Sequence, residues 1–400
     1  MKTKAILTMA VLILFIWTAC LGSTEEVPTK VSISPQIDDS TPEAFSTTPF
    51  EEATPVISSN TPRVVEIGEM TVDRAAHQAT LLESGQVLIT GGCAGNGCDH
   101  YLDSVELFDP ETKAFHPAPP MSTPRAGHVA VTLPDGRVLV CGGWTGHGAA
   151  TSAEIYDPAM GHWTLAGEMN DARESLMAVP LADGRVLVTG GSGGSDNLAS
   201  AEVFDPVTST FSAAGPMSTN HYLAVGLEDG RVLLTGGVNE SGVTLNTSEI
   251  FDPTTGKFQQ AGNMETPRVK HAGVLLPDGQ VFVIGGSVTR NGNNLFKSTE
   301  FYDPATGTFS AGPDMNFGRH KIRDAVVVLP SGEILVAGGA THLEIFDPVE
   351  RSFTLVEGEL SGPQMFATAT RLLTGDALVL GGYDDHTRPT ATAWLVHTDR

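Results

Sequence analysis

One local pattern governs what this chain can become. Gly-Gly doublets stand at 91–92, 142–143, 190–191, 236–237, 285–286, 338–339 and 381–382, about 48 residues apart. Each follows an apolar run, from Val87-Leu88-Ile89 through Val138-Leu139-Val140 to Leu378-Val379-Leu380. Each run follows a Gly turn: Ser84-Gly85, Asp135-Gly136, Asp183-Gly184, Asp229-Gly230, Asp278-Gly279, Ser331-Gly332 and Thr374-Gly375. Asp-Gly between apolar segments is a strong hairpin signal, because both turn residues take positive φ. A fixed period of this length means stacked or radial repeats, each one supersecondary unit.

A second motif keeps phase with the first. After the variable loop comes Glu-x-Phe/Tyr-Asp-Pro, at 106–110, 154–158, 202–206, 249–253, 300–304 and 344–348. Six residues past each Asp is an aromatic: Phe115, Trp163, Phe211, Phe258, Phe309 and Phe353. Asp-Pro ends a strand and starts a turn, since proline cannot donate to a ladder. Each unit therefore reads as four strands, and strands apolar on both faces must lie between neighbouring sheets. This unit resembles the kelch repeat across residues 62–400. The resemblance implies an all-β, seven-bladed β-propeller.

The chain ends predict how the ring closes. The seventh copy stops after a third strand at Thr392–Val396, while Val64–Met70 aligns with Trp163–Met169, the end of a blade. Residues 63–68 are expected beside 391–397, completing blade 7 and removing open sheet edges.

Lys2 and Lys4 precede an apolar run from Ala5 to Trp17, the length of a signal-peptide core and too short to span a bilayer. Trp17-Thr18-Ala19-Cys20 resembles a lipoprotein signal, with Trp17 where Leu is usual. Residues 1–19 are thus expected to be removed and Cys20 lipidated, anchoring the protein to the outer face of a bacterial membrane. Plain secretion and an uncleaved anchor are the alternatives. Of residues 23–61, 19 are Ser, Thr or Pro and seven are acidic, with no apolar period. Residues 20–61 therefore read as a disordered tether, reaching about 35 Å. The chain's formal charge of −24 opposes binding to nucleic acid.

In each blade the Gly-Gly end carries the variable loops. From the second Gly to the motif Asp the steps are 17, 14, 14, 15, 17 and 8 residues. Variable loops on a rigid scaffold are where recognition concentrates. Candidate ligand contacts there are Tyr101, Trp144, His147, Asn197, Phe296, His342, Tyr383, Asp384 and His386. Arg74, Arg125, Arg173, Arg268 and Arg319 recur four residues after the Met that opens their blades. They form either a ring for a carboxylate or sulfate, or ion pairs with the motif Glu that pin strand 1 to strand 3. His77, His128 and His271, which recur three residues after their Arg, read as satisfied barrel-edge residues, the alternative being metal ligands.

Cys93 and Cys98 are expected to bond each other in an oxidising compartment, the alternative being a metal site. Cys141 reads as a small core residue. Some kelch propellers are enzymes. Galactose-oxidase-like proteins hold copper with Tyr and His and join a Tyr to a Cys, and sialic-acid epimerases offer a second precedent. Here Tyr101, Tyr222 and Tyr383 are the available tyrosines, with no convincing Cys partner, and no catalytic motif is present. The expectation is a monomeric binding module for a glycan or protein, without cofactor or metal. The alternative is an enzyme acting on a small molecule or carbohydrate in the central funnel.

Overall fold

The computed structural model describes residues 61–398 except 195, 291 and 293. The expected signal peptide, the tether through residue 60 and Cys20 lie outside the described residues. Every regular element described is a strand. Seven four-stranded antiparallel sheets succeed one another along the chain. In blade 1 the strands are Gln78–Leu81, Val87–Thr90, Val105–Asp109 and Ala114–Ala118, in that spatial order.

The first strand of each blade neighbours the first strands of the blades on either side, from Gln78–Leu81 round to Thr368–Arg371 and back. That closed ring defines a central axis. The second strands, such as Val87–Thr90 and Val138–Cys141, are buried along their whole length. They form the core between blades, as their unbroken apolar sequence requires. Fourth strands face solvent, and the motif aromatic anchors each one. Phe115 meets Phe108 with ring centroids 5.0 Å apart, and Trp163 meets Tyr156 at 5.1 Å.

Blade 7 is composite, as its sequence implies. Arg63–Glu69 pairs antiparallel with Thr392–His397, Val64 opposite Val396 and Glu69 opposite Thr392, with an irregularity between Glu66 and Gly68. Val64 N–H also donates to Glu357 O of blade 6, at 2.9 Å. The first and last described strands therefore close the ring together.

The Gly-Gly doublet has a steric cause. A Cβ on Gly91 would lie 2.4 Å from Arg125 O of the next blade, and one on Gly92 2.8 Å from Ala75 O. This close approach lets Gly92 N–H donate to Arg125 O at 2.8 Å. The same staple recurs from Gly143 to Arg173, Gly237 to Arg268, Gly286 to Arg319 and Gly382 to Arg74. Five blades are thus tied to their successors through main-chain atoms that no side chain could be allowed to screen.

Candidate functional site

The five repeated arginines belong to the wall. Arg74, Arg125, Arg173, Arg268 and Arg319 are fully buried. Each pairs with the motif Glu of its own blade, Arg74 with Glu106 at 2.6 Å and Arg319 with Glu344 at 2.8 Å. Each also donates to the carbonyl of the first doublet Gly, as Arg125 does to Gly142 O at 2.7 Å. In blade 4 His221 replaces Arg and bridges Gly236 O and Glu249 at 2.8 and 2.9 Å. Blade 7 has neither the Glu nor the Arg: Trp394 and Gln364 stand there, both buried. The motif Glu always has a basic partner, Arg in five blades and His221 in blade 4, and blade 7 loses both, which is the logic of a structural pair. None of the five lines the cavity described next.

That cavity, of about 530 Å³, lies on the axis at the Gly-Gly end, and all seven blades contribute to it. Its volume suits a small-molecule or sugar-sized ligand. Blades 1 and 2 bring Tyr101, the Cys93–Cys98 disulfide and Trp144, and blade 3 brings Glu174, Ser175 and Asn197. Blade 4 brings Asn220, His221 and Tyr222, and blade 5 Lys270, His271 and Arg290. Blade 6 adds Lys321, Arg323 and Asp324, and blade 7 adds Phe366.

Its wall is a ring of left-handed residues. Ala76, Gly127, Ser175, Lys270, Lys321 and Phe366 all have φ between 51° and 61°. Gly127 N–H donates to Ala76 O, Ser175 to Gly127 O, Lys321 to Lys270 O, Phe366 to Lys321 O and Ala76 to Phe366 O, at 2.8–3.1 Å. Among the described residues no such bond joins Ser175 to Lys270. Blade 4 should fill that place, but only five residues separate Met217 from its first strand, Leu223–Gly226. In blade 1 seven separate Met70 from Gln78. The shortened segment opens the ring beside Glu174 and Tyr222.

Blade 6 departs in the other direction, with ten residues between Met315 and Val326–Val328. The extra residues turn inward. Arg323 reaches across the axis to donate to Leu176 O of blade 3 at 2.8 Å and pairs with Asp324 at 3.1 Å. Gln78 of blade 1 donates to Asp324 at 3.3 Å. Gln78, Arg323 and Asp324 all line the cavity.

The electrostatics follow from enclosure. Burial pulls Lys270 down to about 8, with Lys321 and Arg290 adding to the effect. Burial also lowers Lys321, against the pull of Asp385, and raises Glu174, against Arg290. Tyr222 is raised by burial as well.

The kelch motif matches residues 84–122, 124–170, 175–218 and 268–316. With seven blades in phase, this decides the family. The chain is a kelch-repeat β-propeller. Among solved structures the propeller is similar to a novel fungal alcohol oxidase with catalytic diversity among the AA5 family, in complex with copper. The two share 19% identity, with a TM-score of 0.67 over 84% of this chain and 76% of that one, a likeness of fold. The sequence matches no curated protein.

The donors along this kelch cavity do not suit copper. Cys93 and Cys98 are spent on each other, leaving no thiol for a Tyr–Cys link. His221 is held by Glu249 and Gly236, and His271 shares a hydrogen bond with Thr235 at 2.9 Å. Among the described residues no group of three His, Cys, Asp or Glu is placed to hold a metal. Cys141 is free and buried, its thiol pushed up to about 12 by burial.

Of the side chains singled out in the sequence, Tyr101, Trp144 and Asn197 line the cavity. Asn197 accepts from Arg290. Tyr383 needs correction: it is 8% exposed, not part of the open face, and packs edge-on against Phe366 at 5.7 Å. Phe296 lies against Arg268 at 5.3 Å. His342 stacks on Phe317 at 5.3 Å. Asp384 is a loop brace, bonded to Arg388 at 2.7 Å, which is the main reason its carboxyl falls to about 2. His147 and His386 are exposed outside the cavity. Lys270, Lys321, Arg290, Arg323 and Phe366 were not anticipated. For Arg323 the signal was the lengthened spacing between Met315 and the first strand of blade 6; the other four carried none.

Proposed function

We propose that this protein is a membrane-tethered extracytoplasmic binding module whose Gly-Gly face takes a glycan into the axial cavity. The carrying observation is that cavity, about 530 Å³ and lined by Tyr101, Trp144, Tyr222 and Phe366 among polar groups. Aromatic faces suit the apolar face of a sugar ring, and a few placed polar groups fix its orientation. The leader and tether readings of residues 1–61 support display outside the cell, and the disulfide accords with an oxidising compartment. A protein ligand on the same face is the second form of this reading. An oxidase- or epimerase-like enzyme would need an acid–base or redox group aimed into the cavity. The histidines there are engaged with wall partners, which favours binding over turnover.

The test is a screen of the full chain against a glycan array, repeated with Trp144→Ala and Tyr101→Ala. Retention of a glycan by the parent and its loss in both variants is expected. Retention unchanged in both, or no retention of any glycan, would reject the reading. Tethering is tested by labelling cells with a fatty-acid probe: Cys20→Ser should abolish incorporation.

A further inference from the structure

The chain has 47 acidic and 23 basic residues, yet four cations and two carboxylates line its axial cavity. Arg323 is neutralised by Asp324. Lys270, Lys321 and Arg290 form no ion pair with any carboxylate among the described residues. Lys270 Nζ donates to Arg290 O at 2.8 Å, and Lys321 Nζ to Tyr383 Oη at 2.9 Å. Both ammonium groups flank the Phe366 ring, 5.9 and 5.6 Å from its centroid. Arg290 stands 6.0 Å from the Tyr222 ring.

This treatment of charge contrasts with the wall. There each buried arginine meets a carboxylate, Arg74 with Glu106 and Arg268 with Glu300 at 2.7 Å. Lys270 and Lys321 are half-buried and Arg290 is exposed at the rim. Even partial burial of like charges without a counter-ion is unfavourable, because desolvation and mutual repulsion add. The scaffold offsets this only in part: Asp385 acts on Lys321 and Glu174 on Arg290 without forming an ion pair, while the charges acting on Lys270 are both positive. The left-handed ring places Lys270 and Lys321 in adjacent blades, where Ala76, Gly127 and Ser175 serve elsewhere. Small residues therefore meet the needs of the backbone. The lysines are extra, and the missing negative charge is what a ligand would bring.

We propose that the ligand of this cavity is an anionic sugar, its carboxylate or sulfate held between Lys270 and Lys321 with Arg290 at the rim. Tyr101 and Trp144, from blades 1 and 2, offer the surface for the sugar ring. The inference rests on reading the cavity as a glycan site and adds the charge of the occupant. Ammonium and guanidinium groups in a partly enclosed site form short, charge-assisted hydrogen bonds to such oxyanions.

The full chain is to be titrated with matched neutral, glucuronate-bearing and sulfate-bearing oligosaccharides, then repeated with Lys270→Met and Lys321→Met. Acidic oligosaccharides should bind, more weakly as salt rises, and each variant should lose about ten-fold or more in affinity. The carboxylate and sulfate arms identify which anion is preferred. Lys321→Met also removes the bond to Tyr383. Lys270→Met, which spares that bond, carries the test if Lys321→Met fails to fold. Neutral oligosaccharides bound as tightly as acidic ones, or acidic binding unchanged in Lys270→Met, would overturn the anionic occupant while leaving the glycan site standing. Absence of binding in all three arms would overturn both.

Discussion

Thr90 Oγ1 of blade 1 and His128 Nε2 of blade 2 lie 2.9 Å apart, a buried hydrogen bond across the seam between blades. Thr235 and His271 repeat it between blades 4 and 5 at 2.9 Å, and Thr368 and His77 between blades 7 and 1 at 3.0 Å. Between blades 2 and 3 the seat is apolar. Cys141 stands for Thr90, and Leu176 covers Gly142 as His128 covers Gly91. At the seam between blades 7 and 1 Leu380 holds the Thr90 position, and the hydroxyl comes instead from Thr368 on the first strand. His128→Leu should therefore leave the Thr90 hydroxyl buried and unpaired, costing about 1–3 kcal/mol. Thr90→Cys combined with His128→Leu copies the neighbouring seam and should recover most of that loss. Denaturant melts of the two variants check this. A double variant no better than the single would show that the seats are not interchangeable.

These histidines also set the response to acid. Burial, with Arg74 adding, takes His77 down to about 3, and burial holds His128 and His271 well below their ordinary value. Unfolded, each titrates near 6.5. Below that pH the unfolded chain binds protons that the folded protein refuses, so stability falls as pH falls. The loss for each imidazole should reach about 1.4 kcal/mol by about pH 5.5. Thermal melts from neutrality to that pH should show a decline that is shallower in the Thr90→Cys, His128→Leu protein. A flat melting temperature across this range would contradict neutral, buried imidazoles.

The clasp should matter far more than the tether. Deleting residues 62–69 removes the strand paired with Thr392–His397 and strips Val64 and Ile67 from the cores of blades 6, 7 and 1. A loss of several kcal/mol is expected, at about 25 cal/mol per Å² of apolar surface re-exposed. Deleting 23–61 should leave the melt unchanged. Equal melting temperatures for the two truncations would refute closure by this strand.

The aromatic side chains of the Gly-Gly end divide by burial. Tyr383 is covered and holds Lys321 through its hydroxyl, with burial raising that phenol to about 12. Tyr383→Ala should melt distinctly earlier, by an amount near the roughly 3–5 kcal/mol of buried aromatic truncations. Trp144 is only half-buried at the cavity rim, and Trp144→Ala should cost less. Trp163→Ala should fall between them, since its indole stacks on Tyr156 and donates to Pro119 O at 2.8 Å. A Trp144→Ala protein that melts with Tyr383→Ala would make Trp144 core rather than rim.

The architecture was legible because its causes are local and repeated. A Gly turn shapes each hairpin, Gly-Gly lets five blades staple to their successors, and pairs such as Arg74 with Glu106 join strands in five blades. The candidate site was only half legible. Tyr101 and Trp144 stood out as aromatics beside doublets, but so did Tyr383, and nothing local tells a rim side chain from one tucked beneath Phe366. Lys270 and Lys321 are remote in sequence and meet only because the ring brings blades 5 and 6 together. Arg323 finds Leu176 across the axis, 147 positions away, a contact no periodic reading supplies.

Lys270 gives the last prediction, and it needs no ligand. Its amine titrates at about 8 in the folded protein because it is buried beside Lys321 and Arg290, with Tyr222 and Glu174 also lining that part of the cavity. Unfolded, it titrates near 10.4. Below about pH 8 both states carry the charge, and the folded protein bears the whole cost of burying it. Between about 8 and 10.4 the unfolded chain holds more protons, so this cost is relieved as pH rises. Lys270→Met keeps the aliphatic stem and removes the ammonium. It should stabilise the protein at neutral pH, by on the order of 1–3 kcal/mol, with the advantage shrinking above about pH 8. Paired denaturant melts at pH 7 and pH 9.5 measure the difference directly. A variant less stable than the parent at pH 7 would mean that the ammonium is compensated in the free protein, and that its place in the cavity is structural.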